Sequence, residues 1–251
     1  MIRRTLRSVL RTVGYDGMEI SRFDRLKGAQ LAAETQERLR PVFHAWALRG
    51  DPTYFVQIGA NDGEKHDAFS ALRNAPSVRS ALVEPNPACV RKLEKIRNAN
   101  PHVTLLPSAL AAEDGFAALY RFSARTEKNL QLDLVTSFSR KHLEDFRRYY
   151  GLQAEIISET TATSTLATLL RQAAFPRLDI LASDIEGFDH LAVEQALTLA
   201  QPPRLIIFEH YWLTAELRER CYQLLAKRGY GIVHGATDAF CVLTAPAAGP
   251  D

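Results

Sequence analysis

The sequence predicts an α/β fold, a mostly parallel sheet covered on both faces by helices. Three observations predict it. From residue 54 onward, short apolar runs alternate with helical stretches, the pattern of strand–helix–strand crossover units. Runs such as Tyr54–Ile58 read as strands buried on both faces, as a parallel sheet requires. The composition, 46% hydrophobic and 24% charged, is that of an ordinary globular chain. A chain of 251 residues buries a core without disulfide or metal staples.

The elements follow in order. Tyr54–Ile58 is the first strand; a glycine-containing turn and a helix near Gly63–Arg73 come next. Ala81–Val83 is the second strand, ending at Glu84 and followed by a helix near Ala88–Asn98. Val103–Leu106 is the third. Leu178–Ser183 is the fourth, with a helix near Leu191–Leu199 behind it. Leu205–Phe208 is the fifth, with a helix near Ala215–Arg228. Gly231–Val233 and Phe240–Leu243, joined by Gly235–Asp238, are close enough for a hairpin that adds one antiparallel strand. About 70 residues separate the third strand from the fourth, far more than one helix needs. They hold strands at Ala117–Phe122 and near Glu155–Ser158, and a polar stretch over Ser137–His142. Long insertions at the ligand edge of a sheet form lids or substrate walls; an extra hairpin layer without ligand contact is the plainer alternative.

The domain division is a helical N-terminal extension over 1–50, a main domain over 51–244 with an insertion-bearing segment at 108–179, and a flexible tail at 245–251. Residues 2–13 place Ile2, Leu6, Val9, Leu10 and Val13 at helical spacing, with Arg3, Arg4, Arg7 and Arg11 on other faces. Such a basic amphipathic helix packs on the main domain or meets an anionic membrane surface. A second helical stretch runs from about Ala29 to Leu48, with Pro41 starting a new segment.

Charge and composition exclude several classes. The net charge is +2, too small for a dedicated nucleic-acid binder. It is uneven: residues 1–50 carry +5 and the remainder −3. No run approaches the roughly 18 apolar residues of a membrane span, and no apolar segment after the basic N-terminus reads as a secretory signal. Cys89, Cys221 and Cys241 are odd in number and far apart, as expected of reduced thiols. The expected location is the cytoplasm, with residues 2–13 offering a peripheral contact to the inner membrane face.

Four motifs carry chemistry. Phe55-Val-Gln-Ile-Gly-Ala-Asn-Asp-Gly63 joins a strand, a tight turn and a helix start. Gly59 takes the turn's backbone angles and admits close approach, and free N–H groups at the helix start favour an anionic group. The dinucleotide pattern G-x-G-x-x-G fits badly, since Glu64 stands where its third glycine belongs; this argues against a nicotinamide-dependent oxidoreductase. The spacing G-x-(G/N)-x-G, with Asn61 in the middle, is that of nucleotide-like cofactors without a pyrophosphate. Glu84, in Leu82-Val-Glu-Pro-Asn-Pro87, ends the second strand 25 residues later, where a carboxylate accepts hydrogen bonds from ribose hydroxyls. Ser183-Asp-Ile-Glu-Gly-Phe-Asp189 places Asp184 and Glu186 at the carboxyl end of the fourth strand, with Asp189 as a helix cap. Phe208-Glu-His-Tyr211 adds Glu209 and His210 on the same edge; taken alone, His210 reads as a satisfied core histidine.

The runs Gln57-Ile-Gly-Ala-Asn-Asp-Gly63, Val83-Glu-Pro-Asn-Pro87, Asp184-Ile-Glu-Gly-Phe-Asp189 and Phe208-Glu-His210, in that order, resemble the FkbM family of S-adenosylmethionine-dependent methyltransferases, many of which methylate hydroxyls. Leu105-Leu-Pro-Ser-Ala-Leu110 resembles the family's third-strand exit beside the adenine, and Ser164-Thr-Leu-Ala-Thr-Leu-Leu170 its helix before the fourth strand. The resemblance covers about residues 50–244 and implies the class I methyltransferase (Rossmann-like) fold, a seven-stranded sheet with one antiparallel strand. It implies S-adenosyl-L-methionine as cofactor, held by Gln57, Gly59, Ala60, Asn61, Gly63, Glu84, Pro85, Ser108, Ala109 and Asp184. Asp184, Glu186, Glu209 and His210 would face the acceptor, a hydroxyl of a sugar, glycolipid or natural product. Two positions differ from the usual pattern: Gln57 stands where an acidic residue is usual, and Ala182 where a lysine is common.

Methyl transfer from a sulfonium is an in-line displacement, and a hydroxyl acceptor needs a general base. His210 suits that task at neutral pH; Asp184 is the rival, and His142 on the insertion a third candidate. A metal-assisted variant would use Asp184, Glu209 and His210 as ligands, although no spacing specifies a metal. A non-catalytic cofactor-binding module is the reading from a different class.

Overall fold

A computed structural model describes residues 52–64, 67–235 and 237–244. The extension at 1–50, its helices at 2–13 and 29–48, and the tail at 245–251 lie outside the described residues. Along the chain, β1 (Thr53–Ile58), α1 (Ser70–Arg73), β2 (Val78–Val83), α2 (Pro87–Ala99) and β3 (Val103–Leu106) come first. The insertion follows with β4 (Ala109–Leu110), β5 (Gly115–Phe122), β6 (Thr126–Glu127), β7 (Leu130–Gln131), a 3-10 turn at Leu132–Leu134, β8 (Thr136–Ser137), α3 (Arg140–Tyr150) and β9 (Ile156–Ser164). The chain then continues through α4 (Leu166–Gln172), β10 (Ile180–Ser183), α5 (Asp189–Thr198), β11 (Leu205–Glu209), α6 (Ala215–Lys227), β12 (Tyr230–His234) and β13 (Asp238–Leu243).

The main sheet has seven strands in the order β3-β2-β1-β10-β11-β13-β12. All run parallel except β13, which pairs antiparallel with both β11 and β12. This is the class I methyltransferase arrangement, and the closing hairpin supplies its one reversed strand. Strand order reverses between β1 and β10, the point where open α/β sheets bind ligands outside the carboxyl ends of their strands.

Register sets the site. Ile58 pairs with Val83 on one side and with Ser183 on the other, and Ser183 pairs with Phe208. The residues that follow these four, Gly59, Glu84, Asp184 and Glu209, therefore emerge level with one another along the carboxyl edge.

Period-two alternation buries both faces of the sheet. Val56, Ile58, Leu181, Ile206 and Phe208 pack with Leu166, Leu169, Ala192, Val193 and Leu225 from the covering helices. Phe55, Ile180, Leu205 and Ile207 face the other way and pack with Leu72 and Phe69. Each such side chain, fully buried, contributes on the order of 1.5–3 kcal/mol. All three cysteines are free and buried. Among the described residues no helix is long and apolar enough to cross a membrane.

The insertion has a core of its own. β5 and β9 pair antiparallel over eight residues each, and β4 and β8 flank them. Phe122, Leu132, Val135, Leu143 and Ile156 pack beneath them, apart from the main core. The strands expected at Ala117–Phe122 and Glu155–Ser158 are present and longer.

Three local expectations are corrected. The helix expected near Gly63–Arg73 is a single turn, Ser70–Arg73. The Asp62 carboxylate accepts the Glu64 N–H at 3.1 Å and the Asp67 carboxylate accepts the Phe69 N–H at 2.9 Å. Such side-chain bonds compete with helix, so no helix N-terminus stands beside Gly59. The polar stretch Ser137–His142 leads into α3: Ser139 caps it, its hydroxyl accepting the His142 N–H at 3.2 Å, and Gly151 at φ +61° ends it. Asp189 does not cap α5. Its carboxylate accepts the Ser183 hydroxyl at 2.6 Å and the Ile185 N–H at 3.3 Å, bracing the loop after β10.

Candidate functional site

The G-x-N-x-G run is explained by its backbone. Gly59, Asn61 and Gly63 have φ of +75°, +54° and +68°, left-handed values that Gly and Asn adopt at least cost. The winding aims successive N–H groups at the end of β2. Those of Gly59 and Ala60 donate to the Val83 carbonyl at 3.0 and 3.1 Å. That of Asn61 donates to Glu84 Oε2 at 2.8 Å. The Asn86 N–H reaches Glu84 Oε1, also at 2.8 Å. Glu84 is thus fixed by one backbone donor on each oxygen, and an oxygen of a carboxylate has a further acceptor position. Burial pushes its pKa up to about 7 against these two bonds, which lower it.

A cleft opens beside this point. Gly59, Asn61, Glu84, Pro85, Ser108 and Ala109 line one end, and Asp184, Ile185, Glu186 and Phe188 the other. The insertion supplies a wall: Leu119, Thr136, Ser137 and Phe138. The insertion therefore touches the site and is not a remote hairpin layer. Ser108 is fixed from outside the sheet, its hydroxyl bonded to that of Ser164 at 3.0 Å.

The acidic end is dense. Asp184 is solvent-accessible at the cleft yet ringed by protein. Desolvation, and then the charges of Glu186, Asp189 and Asp238, push its pKa well above the carboxylate range, opposed by a hydrogen bond with Glu209. Glu209 is raised for the same reasons, desolvation first and Asp184 second. Its Oε2 is enclosed with no hydrogen-bond partner. Asp189, fully buried, is pushed up to about 7 by desolvation. A carboxyl pair of this kind keeps one proton between its members more readily than an isolated acid does. Among the described residues, no three His, Cys, Asp or Glu are arranged to hold a metal ion.

Glu186 has φ +53°, a strained choice for a side-chain-bearing residue. Its Oε2 meets His142 Nε2 at 3.1 Å, and its carbonyl accepts the Ser137 hydroxyl at 3.4 Å. These contacts tie the insertion to the loop after β10.

The structure thus brings together Gly59, Asn61, Glu84, Pro85, Ser108, Ala109, Asp184 and Glu186, with Glu209 bonded behind Asp184 and His142 on the rim. Four expected residues lie elsewhere. Ala60 is buried with Leu82, Leu93 and Val103. Gly63 faces α2, where an added Cβ would stand 2.5 Å from Ile96 Cδ1. Gln57 is buried inside β1, with its Oε1 unpartnered. His210 does not line the cleft: its Nδ1 is bonded to the Tyr222 hydroxyl, and its ring stacks 6.2 Å from that of His234. One residue beyond the level row is enough to carry it past the edge. The residues that sequence reasoning missed, Thr136, Ser137 and Phe138, lie in β8 and just beyond it, where no motif marks them. Ser137 and Phe138 fall within the polar stretch noted above.

The family described as "Methyltransferase FkbM domain" matches residues 57–232. No curated protein is similar enough in sequence to count as a relative. Among solved structures, the chain is similar to a methyltransferase FkbM from Methylobacillus flagellatus KT, with a TM-score of 0.49 and 11% identity, covering 93% of this chain and 58% of that chain. It is also similar to a methyltransferase-like protein from Silicibacter pomeroyi, with a TM-score of 0.43 and 15% identity over 85% and 87% of the two chains. A third is Aeropyrum pernix fibrillarin bound to S-adenosyl-L-methionine, with a TM-score of 0.39 and 12% identity over 76% and 66%. The chain spans little more than half the length of the first of these.

Proposed function

The chain belongs to the FkbM methyltransferase family, and from that premise we propose that it methylates a hydroxyl group in the cleft at the carboxyl ends of β1, β2 and β10. Its cofactor is S-adenosyl-L-methionine. The observation that carries the reading is Glu84. It is buried, held by two backbone donors, and lines the cleft 25 residues after Gly59. The remaining acceptor positions of its two oxygens suit the paired hydroxyls of a ribose. Gly59 and Asn61 would hold the methionine end, and Ser108 and Ala109 the base. When bound, the cofactor supplies a methyl group on a positively charged sulfur.

The chain's own chemistry is proton removal. During transfer the hydroxyl proton of the acceptor would pass to the Asp184 carboxylate. A carboxylate whose pKa stands above the ordinary range is a stronger base than a solvated one. Glu209, close behind Asp184 and raised with it, shares that proton. His210 has no part in this step, because its ring is engaged with Tyr222 and His234 away from the cleft.

Two substitutions test the assignment. Glu84→Ala should weaken S-adenosylhomocysteine binding by about 1–3 kcal/mol, the usual value of hydrogen bonds to a charged group. Wild-type affinity by calorimetry would refute the cofactor site. Asp184→Asn should lower transfer of labelled methyl into a cell-extract acceptor by about 10²–10⁴-fold, while His210→Ala should cost less than tenfold. The reverse ranking would return the base to His210.

A further inference from the structure

We propose that Tyr149, Tyr150, Tyr211 and Trp212 form a stacking platform for an uncharged saccharide ring of the acceptor, next to the ring that is methylated. The proposal rests on the methyltransferase reading above and gives that site its acceptor class.

The platform is the main apolar exposure of the described surface. Five large hydrophobic side chains there are exposed: Phe116, Tyr149, Tyr150, Tyr211 and Trp212. All but Phe116 belong to α3 or to the segment just after β11, the two stretches that meet Glu186 and Gly187 through His142 and Trp212. Tyr149 and Tyr150, at the end of α3, have ring centroids 4.8 Å apart. Tyr211 and Trp212, after β11, are also 4.8 Å apart. The two pairs are linked through α3, which carries Tyr149 and Tyr150 at its end and, near its start, the His142 ring that meets Trp212. The path into the cleft is continuous. The Trp212 ring lies edge-on to His142 at 4.9 Å, His142 meets Glu186, and Glu186 lines the cleft.

Exposed aromatic patches of this kind mark binding surfaces. Tyr and Trp present a flat apolar face with a polar tip, which matches a pyranose: one apolar C–H face, with hydroxyls around the edge. Charge narrows the class. The ionisable groups lining the cleft are Glu84, Asp184 and Glu186, with no Lys or Arg among the lining residues. A phosphate or carboxylate on the reacting ring would find no cationic side chain among the lining residues, whereas hydroxyls would find acceptors. The rim does not suit an anionic bilayer either. Three of the four basic residues of α3 are paired with its own acids, Arg140 with Glu144, and Lys141 and Arg148 with Asp145.

The test uses the full chain saturated with S-adenosylhomocysteine. The probes are neutral disaccharides (maltose, cellobiose, lactose) and the 6-phosphates of their component sugars, followed by saturation-transfer NMR. At least one neutral disaccharide should bind, and no phosphorylated sugar should bind better. The double variant Tyr149→Ala, Tyr211→Ala should lose roughly tenfold in that affinity, the scale of lost ring contacts. Its S-adenosylhomocysteine affinity should be unchanged. Both side chains are largely exposed, 81% and 50%, so folding does not depend on them. If S-adenosylhomocysteine binds but no neutral disaccharide does, the platform is refuted alone. Undiminished disaccharide binding in the double variant, or a preference for phosphorylated sugar, refutes it too. So does a double variant that keeps its sugar affinity but loses binding to phosphatidylglycerol vesicles or loses self-association. A wild-type chain that binds no S-adenosylhomocysteine refutes the methyltransferase reading first, and the platform with it.

Discussion

At Gly59 an added Cβ would stand 1.9 Å from the Asp184 carbonyl oxygen, well inside any non-bonded contact. The residue is also left-handed, at φ +75°. The loop after β1 and the loop after β10 therefore touch through this one position. Gly59→Ala should destabilise the fold by at least about 2 kcal/mol, from the left-handed penalty for a side chain together with the clash, and urea unfolding would measure it. A change under 0.5 kcal/mol would mean that the loops separate easily. Glu84 and Asp184 were legible in the sequence for a plain reason. Each is an acid directly after a buried strand, and strand register alone puts such residues in one row. His210 was not legible in the same way. It follows the same kind of strand but stands one residue further on, and only the positions of Tyr222 and His234 decide where its ring goes.

Among the described elements, α1 is the shortest α-helix and carries a demanding task. Arg73 makes a 2.7 Å ion pair with Asp67, both side chains 3% exposed, and donates to the Gly63 carbonyl at 3.1 Å. It thereby clamps the far end of the loop that begins at Gly59. Removing one partner of a buried pair leaves the other charge uncompensated, so Arg73→Ala should cost about 3–5 kcal/mol. Chemical denaturation would show it, and a loss below 1 kcal/mol would mean that water reaches the pair. The strands of the main sheet were legible because buried parallel strands are written as apolar runs. The helix α3 was not, because its start is the polar run Ser137–His142 and only Leu143 and Phe146 pack it against the insertion's core. It is held as well by a Ser139 cap, a Gly151 stop and surface ion pairs. The start of the helix expected near Gly63–Arg73 was misplaced because the aspartates and glycine before Ser70 also occur at helix starts.

Across the molecule, buried acids make stability depend on pH in an uncommon direction. Glu84 and Asp189 have native pKa values near 7, against ordinary values of 4.5 and 3.8. Between those limits the native state holds protons that the unfolded chain has released. Stability is therefore greatest at the acidic end of the window and falls as pH rises through 7, by about 3 kcal/mol for Glu84 and about 4 kcal/mol for Asp189. Without cofactor, the melting temperature should be higher at pH 5 than at pH 8; a flat or rising profile would mean that these carboxyls are better hydrated than their burial implies. The separate core under β5 and β9 has a different kind of consequence. The insertion's wall of the cleft is packed on its own hydrophobic residues, while the row from Gly59 to Asp184 is set by the main sheet and braced from the insertion at Ser108 and Asn86. Under the proposed function, a different insertion that kept these two braces would give the cleft a new wall and leave the methyl donor's berth as it is. Change of acceptor is then an event of grafting rather than of gradual reshaping, and the segment between β4 and β9 is the piece to transplant.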